Sequence, residues 1–99
     1  MRCEPVVVEL YTKEDCALCR QMKAVIDRVR ADYPLAVREI DIGSNPVLQA
    51  RYAEEVPVLF LDGRRAFKFR TSEAALRRRL ALLMLGRRFI RMAAGGMDR

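Results

Sequence analysis

Apolar residues recur along this chain at two periods, and the changes of period mark its elements. Val6, Val7, Val8 and Leu10 form a short β-branched run, so residues 5–11 are expected to be a buried strand. Pro5 at its edge costs little, because a first strand residue can lack a paired amide. From Ala17 the period lengthens. Leu18, Met22, Val25, Ile26 and Val29 recur at spacings of three and four, with Arg20, Lys23, Asp27 and Arg28 on the other faces. That pattern predicts an amphipathic helix over residues 17–32, stopped by Pro34. Asp15 or Cys16 is placed to cap it.

Leu35, Val37 and Ile40 suggest a second strand ending near Asp41-Ile42. Gly43-Ser44-Asn45-Pro46 is a turn leading into a short helix through Tyr52, with Pro46 suited to the first helical position. Residues 56–61 read as a third strand. Asp62-Gly63 is the strongest hairpin signal in the chain, and residues 64–70 are the partner strand. There Phe67 and Phe69 share one face. Thr71 or Ser72 begins the last helix, whose stripe is Leu76, Leu80, Leu83 and Met84, widened by Leu82 and Leu85. Arg77, Arg78 and Arg79 are expected to face outward, and Gly86 to end the helix.

The order is β-α-β-α-β-β-α. The early units have the length of crossovers onto a parallel sheet, and the hairpin adds an antiparallel pair. An α/β fold results, a four-stranded mixed sheet with helices on both faces. Its 99 residues make one domain over residues 1–86, with residues 87–99 as a basic tail, either a short helix or disordered.

Charge changes this picture only at the C-terminal end. The formal net charge is +6, yet residues 64–99 hold eleven arginines or lysines against two acids. Such a segment can meet nucleic acid, an acidic partner or an anionic membrane surface, or be a solvated helix face. With no aromatic stacking rows and no binding motif, the reading is no nucleic acid, and with no run approaching the length of a membrane span it is no membrane. Three cysteines are too few for a disulfide-dense scaffold, and Met1-Arg2-Cys3-Glu4-Pro5 is too short and charged to open a signal peptide. The expected setting is cytoplasmic, and the expected state a monomer.

The chemistry lies in Cys16-Ala17-Leu18-Cys19, where a strand gives way to a helix. At a helix N-terminus, unpaired amides and the helix dipole stabilise a Cys16 thiolate. Lys13 adds positive charge, while Glu14 and Asp15 oppose it. Cys19, one turn inward, is spaced to close a disulfide onto Cys16. A metal half-site is a second reading. Structural zinc wants four ligands, and the chain offers no histidine and only Cys3 besides the pair. Two incidental core cysteines are a third. Pro57 opens the third strand about forty residues on.

Tyr11-Thr12-Lys13 before Cys16-Ala17-Leu18-Cys19, then Val56-Pro57-Val58 and Asp62-Gly63, resembles the thioredoxin superfamily. Within it the chain is most similar to small bacterial glutaredoxin-like proteins, over residues 5–85. The resemblance implies a thioredoxin-like fold and thiol–disulfide oxidoreductase activity. It implies Cys16 as nucleophile, Cys19 as resolving cysteine, and Lys13 near a glutathione carboxylate. Tyr11 matches a strand-end position near the site. Pro57 matches a cis-proline beside the dithiol, and Val56 the residue whose backbone pairs with bound peptide or glutathione. Thr71 and Ser72 stand where the family holds glutathione with Gly-Gly and an acid. Ala17 and Leu18 replace the proline and tyrosine that many glutaredoxins carry. No cofactor is implied, with glutathione as candidate co-substrate. The implied partners are a disulfide-containing protein or small thiol, and a reductase or glutathione as electron donor. The rival reading is a non-catalytic adaptor of this fold that binds a protein or metal.

Overall fold

The computed structural model describes residues 4–97, with side chains described as far as Arg88. Along the chain run β1 (Val6–Thr12), α1 (Ala17–Val29), β2 (Leu35–Asp41), a short 3-10 turn (Ile42–Ser44), α2 (Pro46–Tyr52), β3 (Val58–Leu61), β4 (Arg64–Lys68) and α3 (Glu73–Met97). The strands form one sheet in the order β2-β1-β3-β4. β1 is parallel to β2 and antiparallel to β3, and β3 is antiparallel to β4. The architecture is the thioredoxin-like one expected. One detail differs: only β1-α1-β2 is a parallel crossover, because the chain returns from α2 against the direction of β1.

Strand alternation divides the core. Val6, Val8 and Leu10 of β1, with Leu59 and Leu61 of β3, turn to one face and meet Met22, Ile26, Leu76 and Leu80 of α1 and α3. Tyr11, Val58 and Phe60 turn to the other, where they join Ile42, Leu48 and Tyr52 around α2. Apart from Leu61, the residues of the first group are at most 1% exposed. Each such side chain contributes about 1.5–3 kcal/mol of transfer free energy.

The ends of the elements refine the sequence reading. α1 stops at Val29 rather than 32. There Asp32 and Tyr33 donate their amides to the Val29 carbonyl in a closing turn. Asn45 Oδ1 caps α2 by accepting from the Val47 and Leu48 amides. At the hairpin Asp62 and Gly63 take φ of 50° and 82°, the left-handed pair that a two-residue turn requires. β4 ends at Lys68, not 70. Phe69 takes φ 67°, donates its amide to the Pro57 carbonyl, and lies exposed instead of packing beside Phe67.

α3 departs most from expectation. Ser72 is its cap, its hydroxyl accepting the Ala75 amide at 3.1 Å. Gly86 does not end the helix, which continues to Met97 across the 86/87 boundary. A mid-helix glycine costs about 1 kcal/mol relative to alanine, and its leucine, methionine and arginine neighbours are good helix formers. Arg87 adds a tertiary anchor. Its guanidinium donates to Asp62 Oδ2 and to the carbonyls of Glu4 (2.8 Å) and Pro5 (3.3 Å). Leu82 and Leu85 do not widen the core stripe; they are 60% and 61% exposed.

Arg77 does not face outward either. It bonds Asp32 at 2.8 Å and Glu73 at 3.5 Å, while Arg28 donates to Glu73 at 2.7 Å. The hydrogen bond from Arg28, with its charge and that of Arg77, holds the Glu73 carboxyl below its usual range. A depressed carboxylate stabilises the fold above the unfolded-state value, and that contribution is lost as pH falls through the folded value. Glu73→Gln is therefore expected to lower stability near neutral pH and to be silent in acid. Urea unfolding of both proteins at the two pH values checks this, and an equal loss at both would refute it.

Candidate active site

β1, an inner strand, delivers the chain to one end of the sheet, and the segment from Lys13 to Asp15 turns it into α1. Asp15 takes φ 55°, a left-handed conformation that aspartate tolerates better than most residues. This turn sets Cys16 at the N-cap of α1, in extended conformation, with Cys19 in the first turn. The two sulfurs are joined as a disulfide, with their Cα atoms 5.2 Å apart. The Cys19 amide points at Cys16 Sγ from 3.1 Å. That donor is one of the unpaired amides of a helix start, and it offers a hydrogen bond to charge on this sulfur. Cys16 is half-buried, whereas Cys19 is 4% exposed. One sulfur therefore faces arriving molecules while the other is held behind it.

The other expected site residues lie around this disulfide to different degrees. Val56 and Val58 are buried with Cys19 in the α2-side cluster, against which Cys16 and Tyr11 pack. Tyr11 packs on Tyr52 at 4.8 Å and meets Phe60 at 5.5 Å, forming one wall of the cluster. Burial raises its phenol pKa, helped by Glu9 and Tyr52, so it stays neutral. Val56-Pro57 is a cis peptide bond, and the Pro57 side chain is buried. The Val56 amide already donates to the Tyr52 carbonyl, so pairing with a bound chain would fall to its own carbonyl. Lys13 is exposed and reaches the Ala53 carbonyl at 3.4 Å.

Thr71 is half-buried in a depression of about 370 Å³ that runs past Leu18 and Phe69. Ser72 does not share that lining, and its hydroxyl is committed to the cap of α3. Cys3, which the metal reading invoked, lies outside the described residues.

A second depression, of about 310 Å³, opens on the β2 side of the dithiol. Cys16 and Cys19 are among its lining residues, with Lys13, Arg20 and Lys23 as cations and Glu14, Glu39 and Asp41 as carboxylates. Lys23 and Glu39 approach to 3.7 Å. Of these groups, the sequence points to Lys13 and Glu14 as neighbours of the dithiol, but not to Arg20, Lys23, Glu39 or Asp41. Arg20 and Lys23 follow Cys16 and Cys19 by four residues each, a spacing that puts them on the dithiol's side of the helix. Glu39 and Asp41 carried no such signal, because only the pairing of β1 with β2 brings them here.

Residues 7–81 match the Glutaredoxin-like domain (DUF836) family. Among curated proteins, the uncharacterized protein Rv0508 of Mycobacterium tuberculosis is 29% identical over 84 residues, covering 80% of this chain and 87% of that protein. Among solved structures, protein XcR50 from X. campestris is 28% identical with a TM-score of 0.66, over 76% of this chain and 96% of that one. Desulfothioredoxin from Desulfovibrio vulgaris Hildenborough is 26% identical with a TM-score of 0.61, over 79% and 81%.

Proposed function

The chain belongs to the Glutaredoxin-like domain family, and from that premise we propose that it reduces disulfides of proteins or small thiols through a mixed disulfide at Cys16. The observation that carries this reading is the unequal pair: a half-buried Cys16 capping α1 and receiving an amide, backed by a buried Cys19. A reductase or glutathione first donates two electrons, opening the Cys16–Cys19 disulfide to two thiols. Cys16 then loses its proton, and the thiolate attacks one sulfur of the substrate disulfide. The first substrate sulfur leaves as thiolate and is protonated. Cys19, deprotonated in turn, attacks Cys16 Sγ, breaks the mixed disulfide and releases the second substrate thiol. The substrate gains two electrons and the Cys16–Cys19 disulfide is restored.

Val56, buried in one cluster with Cys19, and the buried cis Pro57 that follows it support an extended substrate segment pairing with this corner. Lys13 is the group we assign to a substrate carboxylate, glutathione included. The cycle needs a reducing supply of electrons, and we place it in the cytoplasm as a monomer. The test is Cys19→Ser. With the resolving sulfur gone, the mixed disulfide at Cys16 persists, and intact-protein mass spectrometry after exposure to oxidised glutathione or a peptide disulfide should read one adduct per chain. Absence of an adduct at Cys16 with every disulfide offered would defeat the proposal.

A further inference from the structure

The family match ends at residue 81, but α3 runs on to Met97. The added turns carry an apolar stripe on the side away from the core. Leu80 is 0% exposed, and Leu82 lies about 200° further round the helix, where it is 60% exposed. Leu85, on the same side, is 61% exposed. The sequence continues the three-four spacing with Phe89 and Met92. Arg79 and Arg88 flank this stripe on either side, and Arg78 stands at its head; all three are exposed. Among the described residues no carboxylate pairs with any of them, and the chain has no acid between residues 74 and 97.

Charge selects the occupant. A second copy of this helix would set arginine against arginine. The stripe spans under two heptads, too short for a coiled-coil seam, which needs at least about three. No helix among the described residues is long and apolar enough to cross a membrane. An apolar stripe rimmed by arginines on one exposed helix is the pattern of a segment lying in a membrane interface, with guanidinium groups at the level of anionic headgroups. We propose that the outward face of α3 from Arg78 to Arg88 binds an anionic membrane surface, with Leu82 and Leu85 inserted and Arg78, Arg79 and Arg88 at the phosphates. This revises the expectation of no membrane contact, which rested on the lack of an apolar run long enough to span a bilayer.

The geometry leaves the dithiol free. α3 starts near it, beside Thr71, and Arg87 closes on Glu4 and Pro5 at the opposite end of β1. The proposal does not depend on the redox reading.

The test is co-sedimentation of the full chain with vesicles of phosphatidylcholine alone, or with about a third phosphatidylglycerol. Binding is expected only with phosphatidylglycerol, weakening as salt rises. The double variant Leu82→Glu, Leu85→Glu should lose binding about tenfold or more, and Leu82→Ala, Leu85→Ala should lose it in the same direction. Both should keep wild-type helicity by circular dichroism, and Cys16→Ser should bind as the wild type does. No preference for anionic vesicles, or unchanged binding by both double variants, would overturn the proposal. Binding of a soluble Glu/Leu helical peptide without vesicle binding would overturn it too, and give the surface to an acidic protein partner.

Discussion

Cys16→Ser is expected to lower single-turnover reduction of a chromogenic disulfide on the order of 10³-fold or more relative to the reduced wild type. The size follows from the geometry. Serine at the N-cap still accepts the Cys19 amide, so the helix start survives. What disappears is the accessible sulfur. Cys19 retains a thiol but is 4% exposed, and a disulfide that needs in-line approach to a sulfur cannot reach it without opening the site. Stopped-flow absorbance of pre-reduced proteins measures the difference. A variant within about tenfold of wild type would mean that Cys19 or Cys3 is the nucleophile, and the assignment of Cys16 would fall.

Leu59→Ala is expected to cost about 2–5 kcal/mol of folding stability. Leu59 is 0% exposed, sits on an inner strand, and pairs in register with Leu10, also 0% exposed. Its side chain points into the cluster shared by α1 and α3, so truncation leaves a cavity in the layer that joins the sheet to those helices. For a domain whose total stability is of order 5–15 kcal/mol, such a loss is severe. Leu82→Ala removes the same atoms from an exposed position and should change stability by no more than about 0.5 kcal/mol. Urea unfolding followed by far-ultraviolet dichroism compares the two. If Leu59→Ala costs under about 1 kcal/mol, the packing described around β3 is wrong.

These two leucines also show where sequence reading stops. The strands and α1 were legible because short β-branched or apolar runs give way to a three-four spacing, and Asp62-Gly63 because few other residue pairs accept two positive φ values. Leu80 and Leu82 are the same letter two places apart in one helix. Only the position of the sheet decides which is core. Gly86 read as a stop on local preference, but Arg87 ties the helix to Asp62, Glu4 and Pro5, residues far away in sequence. The direction of β3 was equally hidden, since the link through α2 is long enough to return the chain either way. At the site, the Cys16–Cys19 spacing spoke for a disulfide, and resemblance alone pointed to a cis Pro57. Glu39 and Asp41 became visible as neighbours of the dithiol only once β1 and β2 were paired.

The order β2-β1-β3-β4 has a consequence for how copies of this protein behave in a crowd. Both outer strands keep unpaired backbone groups along one side, a template on which another chain can extend the sheet. β4 carries Arg64, Arg65 and Lys68 in five residues, with Glu55 paired to Arg65 and Lys68, and a bulge at Leu59/Phe60 disturbs the ladder beside it. Two such edges laid together would stack cation on cation along a distorted ladder. β2 sets Arg38, Glu39 and Asp41 along the opposite rim, and desolvating them would oppose pairing there. Both margins of the sheet are thereby protected against fibril-like growth.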